Sequence, residues 1–200
     1  MEEQKKETVY GVMAGLVGKL ERMDPKDGRR TAALAALRDS VGKPLSEAEK
    51  VWPLIFEGLP EEFLGTRGRA IREERAIYTT LQLYALCMQG SGGRVTADDN
   101  RDTSIGVSLR AGRDPEDSTA LDRRFNAMAT ADTFEELSYH LRQLIKVVRS
   151  RAVMQINFAR LAEDLYRLQQ GREHQQRLCF VWAKDYYFYK PADKEPEDGQ

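Results

Sequence analysis

Apolar residues recur at helical spacing along most of the chain. Between Tyr10 and Arg22 they fall at Tyr10, Met13, Leu16, Val17 and Leu20, steps of three and four that gather on one helix face. Asp24-Pro25 ends this helix, because proline disfavours helix in the residue before it. Asp27 caps a second helix that buries Leu34, Leu37 and Val41, and Gly42-Lys43-Pro44 closes it. Ser46 and Glu49 have the spacing of a capping box, which predicts a third helix through Trp52 and Ile55. After a loop marked by Gly58, Pro60, Gly65 and Gly68, a long helix is expected from Arg69 to Met88. Its second half, from Ile77 onward, is apolar nearly all round, as a central bundle helix is.

The polar, glycine-rich stretch from Gln89 to Asp102 breaks this pattern and marks a domain boundary. Beyond it, a short helix is expected from Ser104 to Ala111 and another from Asp117 to Ala129. Thr133 and Glu136 form a second capping box for a helix reaching Ser150, Asn157 caps one ending at Gly171, and a last helix runs from Arg172 to Phe188. Neither strand alternation nor an internal repeat of about 20 to 50 residues is present. The expected fold is all-α, a two-lobed helical bundle of about eight to nine helices. Residues 1–9 are expected to be a flexible N-terminus, 10–90 the N-terminal lobe and 91–102 a flexible loop. Residues 103–189 make the C-terminal lobe, and 190–200 a disordered acidic tail.

Composition narrows the function. The 200 residues are 41% hydrophobic, and 31 Lys+Arg against 32 Asp+Glu give a net charge of −1. That excludes a uniformly basic protein and a disordered chain, and two cysteines exclude a disulfide scaffold. No run of about 18 apolar residues exists to span a membrane. The opening MEEQKKET lacks the basic-then-apolar order of a signal peptide, so a cytoplasmic protein is expected. Of the 31 cations, 21 are arginine. That bias suits bidentate recognition of phosphate and carboxylate, and a GC-rich genome produces it as well.

Enzymatic chemistry is not apparent. Gly42-Lys43-Pro44 lacks the upstream glycine spacing and the following Ser/Thr of a phosphate-cradling loop. His140 and His174 stand apart without ligand-spaced partners, so no metal site is expected. Cys87 and Cys179 lie in apolar helical contexts that suit buried, inert thiols. The acid pairs Glu61-Glu62, Glu73-Glu74 and Glu135-Glu136 are adjacent and splay to different helix faces. No cofactor is called for, and no general acid and base assemble.

The basic residues are more suggestive. Arg142, Lys146 and Arg149 are spaced by four and three, within a sector of about 60° that is separate from the face of Leu137, Leu141, Leu144, Ile145 and Val148. This stripe is expected to point outward. Between Leu137 and Trp182 eight basic residues stand against three acids, and doublets occur at Arg29-Arg30 and Arg123-Arg124 near helix starts. Such clusters can track a nucleic-acid backbone by releasing its counterions, or form a solvated face with acidic partners four residues away. Spacing leaves both open. Tyr186-Tyr187-Phe188-Tyr189 reads as a helix end pinned by aromatics in preference to a stacking platform for bases.

An ordered series of motifs adds to this. Gly28-Arg29-Arg30 opens an Ala/Leu helix, and Ser104-Ile105-Gly106-Val107-Ser108-Leu109-Arg110 and Leu121-Asp122-Arg123-Arg124-Phe125 follow. Then come His140-Leu141-Arg142-Gln143-Leu144-Ile145, and Ile156-Asn157-Phe158 leading to Leu161-Ala162-Glu163-Asp164-Leu165. The series resembles the CasB family, small subunits of the type I-E CRISPR surveillance complex, Cascade, from about Tyr10 to Tyr187. The resemblance implies a non-enzymatic helical subunit, present as two copies beside the guide RNA and the other Cascade subunits. It implies a basic surface that contacts target DNA and the displaced single strand of the R-loop. Carried onto this chain, that surface comprises Arg29, Arg30, Arg75, Arg110, Arg123, Arg124, Arg142, Lys146 and Arg149. The alternative reading is a purely architectural subunit whose arginines pair with acids or with neighbouring proteins.

Overall fold

The computed structural model describes residues 7–66, 68–91, 93–98, 103–114 and 116–188. The expected acidic tail (190–200), most of the expected flexible N-terminus (1–6) and the end of the 91–102 loop (99–102) lie outside the described residues. Among the described residues the chain forms nine α-helices: α1 (Val9–Arg22), α2 (Gly28–Asp39), α3 (Trp52–Phe56), α4 (Arg72–Met88), α5 (Ile105–Arg110), α6 (Thr119–Ala129), α7 (Phe134–Arg151), α8 (Phe158–Leu168) and α9 (Arg172–Phe188). The fold is all-α, as the periodicity predicts. No helix among the described residues is long and apolar enough to cross a membrane.

Side-chain caps set most of the boundaries. Thr8, Asp27, Ser104, Thr133 and Asn157 each accept a backbone N–H from the first turn of the helix that follows, meeting donors that a helix start leaves unpaired. Two expectations need correction. The region after Ser46 is not one capped helix. It is two 3-10 turns, Leu45–Glu47 and Glu49–Val51, followed by the five-residue α3, with no side-chain cap at any of the three. Pro53 explains this: it lacks an N–H to bond to the carbonyl four residues earlier, so the α-helix restarts where proline sits in the first turn. The long helix α4 begins at Arg72, not Arg69. The buried Glu74 carboxylate accepts the Ile71 N–H at 2.7 Å and the Gly65 N–H at 3.1 Å, which ties the preceding loop to the helix start and leaves Arg69 outside it.

One apolar core runs through the chain. Helix α8 lies against both α1 and α4, α5 packs on α9, α6 on α7, and α2 on α4. As expected of a central helix, α4 is buried on nearly all sides, with Ala76, Ile77, Tyr78, Thr80, Leu81, Gln82, Leu83, Tyr84, Ala85 and Cys87 out of solvent. The described part of the 91–102 connection is tied down. Val95 is buried, and Thr96 forms a parallel bridge with Ile156 through Ile156 N–H to Val95 O at 2.9 Å and Ala97 N–H to Ile156 O at 3.0 Å. Helices α5 and α9 approach so closely that a Cβ at Gly106 would lie 2.1 Å from the Trp182 carbonyl oxygen.

Two polar knots hold the C-terminal helices. Asp164, fully buried on α8, accepts from Trp182 Nε1 of α9 at 2.8 Å and from Arg160 Nε at 2.9 Å. Burial pushes its carboxyl above the usual carboxylate range, against those two donors. Asp122 accepts from Tyr186 at 2.7 Å, Ser118 at 2.9 Å and Arg113 at 3.1 and 3.3 Å. Burial pushes its carboxyl up, but these donors outweigh burial and hold it below its ordinary value. Tyr186 also stacks on Phe125, with centroids 4.3 Å apart, so this part of the aromatic run pins the helix end. Phe188 is exposed.

Candidate nucleic-acid interface

A cleft of about 770 Å³ opens between α4, the first half of α7 and the connection after α2. Its floor is α4, through Arg75, Tyr78, Thr79 and Gln82. One wall is α7, through Phe134, Glu135, Ser138, Tyr139 and Arg142, and the other comprises Gly42 to Ser46 with Gly68 to Ala70. The α2 connection is held from below. Gln82 Nε2 donates to Ser40 O at 2.6 Å, and the Tyr78 hydroxyl reaches Ser40 O and Lys43 O, each at 3.2 Å. Gly42 has φ +85°, a conformation that glycine adopts without strain, and this turns the chain so that Lys43 lines the cleft.

Four cations, Lys43, Arg69, Arg75 and Arg142, line the cleft against one carboxylate, Glu135, among the described residues. Glu135 is taken up by Arg75, whose guanidinium also lies 4.6 Å from the centre of the Phe134 ring. Lys43, Arg69 and Arg142 have no acidic partner among the described residues. Arg142 is instead positioned by its own helix, 5.5 Å from the centre of the Tyr139 ring, a cation–π contact that leaves its N–H groups available. Tyr139 is 51% exposed although it is a large aromatic residue. Ser138 Oγ is buried with no hydrogen-bond partner among the described residues.

The nine basic residues expected at the interface separate into two groups. Several are engaged within the fold, most of them at helix ends, where free carbonyls and the helix dipole favour a cation. Arg149 donates to Leu86 O at 2.5 Å and Gln89 O at 2.6 Å at the end of α4, Arg30 to Leu20 O at 2.9 Å in the last turn of α1, and Arg110 to Tyr186 O at 3.3 Å in the last turn of α9. Arg124 bonds Ala120 O of its own helix at 3.1 Å, and Arg29 pairs with its capping Asp27 at 3.0 Å. The expected outward stripe on α7 is therefore divided: Arg149 turns inward, Arg142 enters the cleft, and Lys146 is exposed. Arg123 and Lys146 are exposed with no partner among the described residues.

Of the nine, Arg75 and Arg142 line the cleft together. Lys43 and Arg69 were not identified from sequence. Lys43 sits in a Gly-Lys-Pro turn that fails as a phosphate loop, and Arg69 reads as a helix residue until Glu74 is seen to start the helix later. Among the described residues no group of three or more His, Cys, Asp or Glu could hold a metal ion. Burial pushes the Cys87 thiol up to about 12 and the Cys179 thiol up to about 11, as befits unreactive core cysteines.

Solved structures share this fold. CasB from Thermobifida fusca superposes with a TM-score of 0.65 at 22% identity, covering 89% of this chain and 94% of that one. A Cse2-family CRISPR-associated protein from Thermus thermophilus does so with a TM-score of 0.62 at 25% identity, covering 88% and 97%. A chain of a CRISPR RNA-guided surveillance complex matches with a TM-score of 0.64 at 20% identity, covering 90% and 93%. Comparison with curated protein sequences found no match. The model of the family described as CRISPR-associated protein Cse2 matches residues 33–187, from within α2 almost to the end of α9. Most of the chain, in motif order and in fold, thus places it in the Cse2 family of CRISPR-associated proteins, to which it belongs.

Proposed function

We propose that this protein is a non-catalytic small subunit of a type I-E CRISPR surveillance complex, Cascade. In this reading it binds nucleic-acid backbone without sequence preference and steadies the R-loop, both the target-strand hybrid and the displaced strand. Its partners are the other Cascade subunits, the guide RNA and a second copy of itself. Family membership and the fold shared with a chain of a surveillance complex support the setting. The observation that carries the binding role is the cleft, where Lys43, Arg69 and Arg142 stand without acidic partners among the described residues. R-loop formation exchanges one duplex for another of similar stability, so a few sequence-independent phosphate contacts suffice to tip it, while base pairing supplies specificity. The net charge of −1 fits a subunit that by itself binds DNA weakly, at low salt, and makes its useful contact when the rest of the complex presents the strand.

The test is R-loop stability on assembled complexes carrying Lys43→Glu, Arg69→Glu and Arg142→Glu together. Intact assembly with faster loss of the R-loop is expected, and unchanged R-loop lifetime rejects the binding role. The engagement of Arg29, Arg30, Arg75, Arg110 and Arg149 within the fold favours a second, purely architectural reading. That reading predicts that the triple reversal either blocks assembly or changes nothing.

A further inference from the structure

The cleft differs from a plain phosphate-binding surface in two respects: its α7 wall is aromatic, and that wall contains an unsatisfied polar group. Tyr139 and Phe134 line it, Tyr139 is half exposed, and Arg142 sits over the Tyr139 ring. Ser138 Oγ, buried on the same wall, has no hydrogen-bond partner among the described residues. A strand contacted through its phosphates alone needs neither feature. Aromatic faces suit bases, which stack on them whatever their identity. A buried hydroxyl without a partner is costly unless a ligand supplies one. At about 770 Å³, the cleft is of the size that encloses a small molecule, roughly 300–1,000 Å³.

We propose that the cleft takes an unpaired nucleotide of a single strand, with its base lodged against Tyr139 within reach of Ser138 and its phosphates on Lys43, Arg69 and Arg142. This rests on the backbone-binding reading above and goes beyond it. Single-stranded nucleic acid is bound in preference to duplex, because only an unpaired base can leave its stack without breaking a pair. The preference is for the presence of a base and not for its identity, since stacking does not discriminate and one hydroxyl can either donate or accept. Glu135, the one carboxylate lining the cleft among the described residues, is paired with Arg75, which offsets its repulsion of the incoming phosphates.

The test compares two single strands of about twelve nucleotides that carry equal charge, one of thymidine and one of abasic deoxyribose phosphate, bound to the full-length chain at about 25 mM salt. The thymidine strand is expected to bind at least about 5-fold more tightly, the lower end of what one aromatic–base stack contributes. Tyr139→Ala should abolish this difference and Tyr139→Phe should retain it. Because Tyr139 is half exposed, the fold survives either change, and an unchanged thermal melt verifies that. Equal affinity for the two strands, or a preference that persists in Tyr139→Ala, overturns the base pocket and leaves backbone binding standing. Failure of both strands to bind at that salt overturns both readings.

Discussion

Replacing Arg142 by glutamine separates a cation used for binding from one used for folding, because Arg149 lies two turns further along the same helix and has a different task. Three cleft cations, Lys43, Arg69 and Arg142, have no acidic partner among the described residues. If each neutralises one phosphate of a single strand, the logarithm of affinity falls with the logarithm of salt at a slope of about −2, from roughly 0.7 per contact. Raising salt from about 50 to about 200 mM then weakens binding about 20-fold. Arg142→Gln reduces the slope to about −1.4, so the same change weakens binding only about 7-fold. At about 50 mM the variant binds about 8-fold more weakly than the parent. Arg149→Gln removes the donor to the carbonyls of Leu86 and Gln89. It should leave the slope at about −2 while lowering stability by about 1.5–3 kcal/mol, the range for hydrogen bonds that involve a charged group. Fluorescence anisotropy of a labelled single strand across this salt range, with a thermal melt of each variant, measures both effects. A salt slope unaltered by Arg142→Gln refutes the assignment of the cleft, and a slope lowered by Arg149→Gln refutes the division of the α7 stripe.

Other outcomes follow from the core. Asp164→Ala leaves the indole N–H of Trp182 without its acceptor and Arg160 without its buried partner, at a cost of about 3–5 kcal/mol, read as a fall in melting temperature of about 10 °C. Gly106→Ala places a methyl group against the Trp182 carbonyl and should destabilise by at least about 1–3 kcal/mol, measured by urea unfolding. Because the Asp122 carboxyl is held below its ordinary 3.8 in the fold, its contribution is fully present above that value and is lost as pH falls through the folded one. Asp122→Asn should therefore lower stability at neutral pH and narrow its gap to the parent below about pH 4, seen in unfolding curves at several pH values. Cys87 and Cys179, buried and pushed up to about 12 and about 11, should resist thiol reagents in the native protein at about pH 8 and react once it is unfolded. Rapid native labelling would contradict their burial.

Helices, their caps and their buried faces were legible in the sequence because they depend on residues within a turn or two of one another. Asp27, Thr133 and Asn157 each cap the helix their spacing indicates, and the fully buried Leu137, Leu141, Leu144, Ile145 and Val148 are the apolar face read on α7. The family was legible for a related reason: the motif series samples those same local patterns in order. Where local reading failed, at Ser46 and Arg69, a proline nearby or a carboxylate reaching back from the next helix decided the outcome. The task of each arginine could not be read this way. Whether a guanidinium caps a distant carbonyl, as Arg30, Arg110 and Arg149 do, or lines a cleft, as Arg142 does, depends on which helix end lies across from it. Charge and spacing along one helix place a cation on a face. Only the packing of α4 against α2 and α7, which brings together residues from Gly42 to Arg142, determines what that face meets.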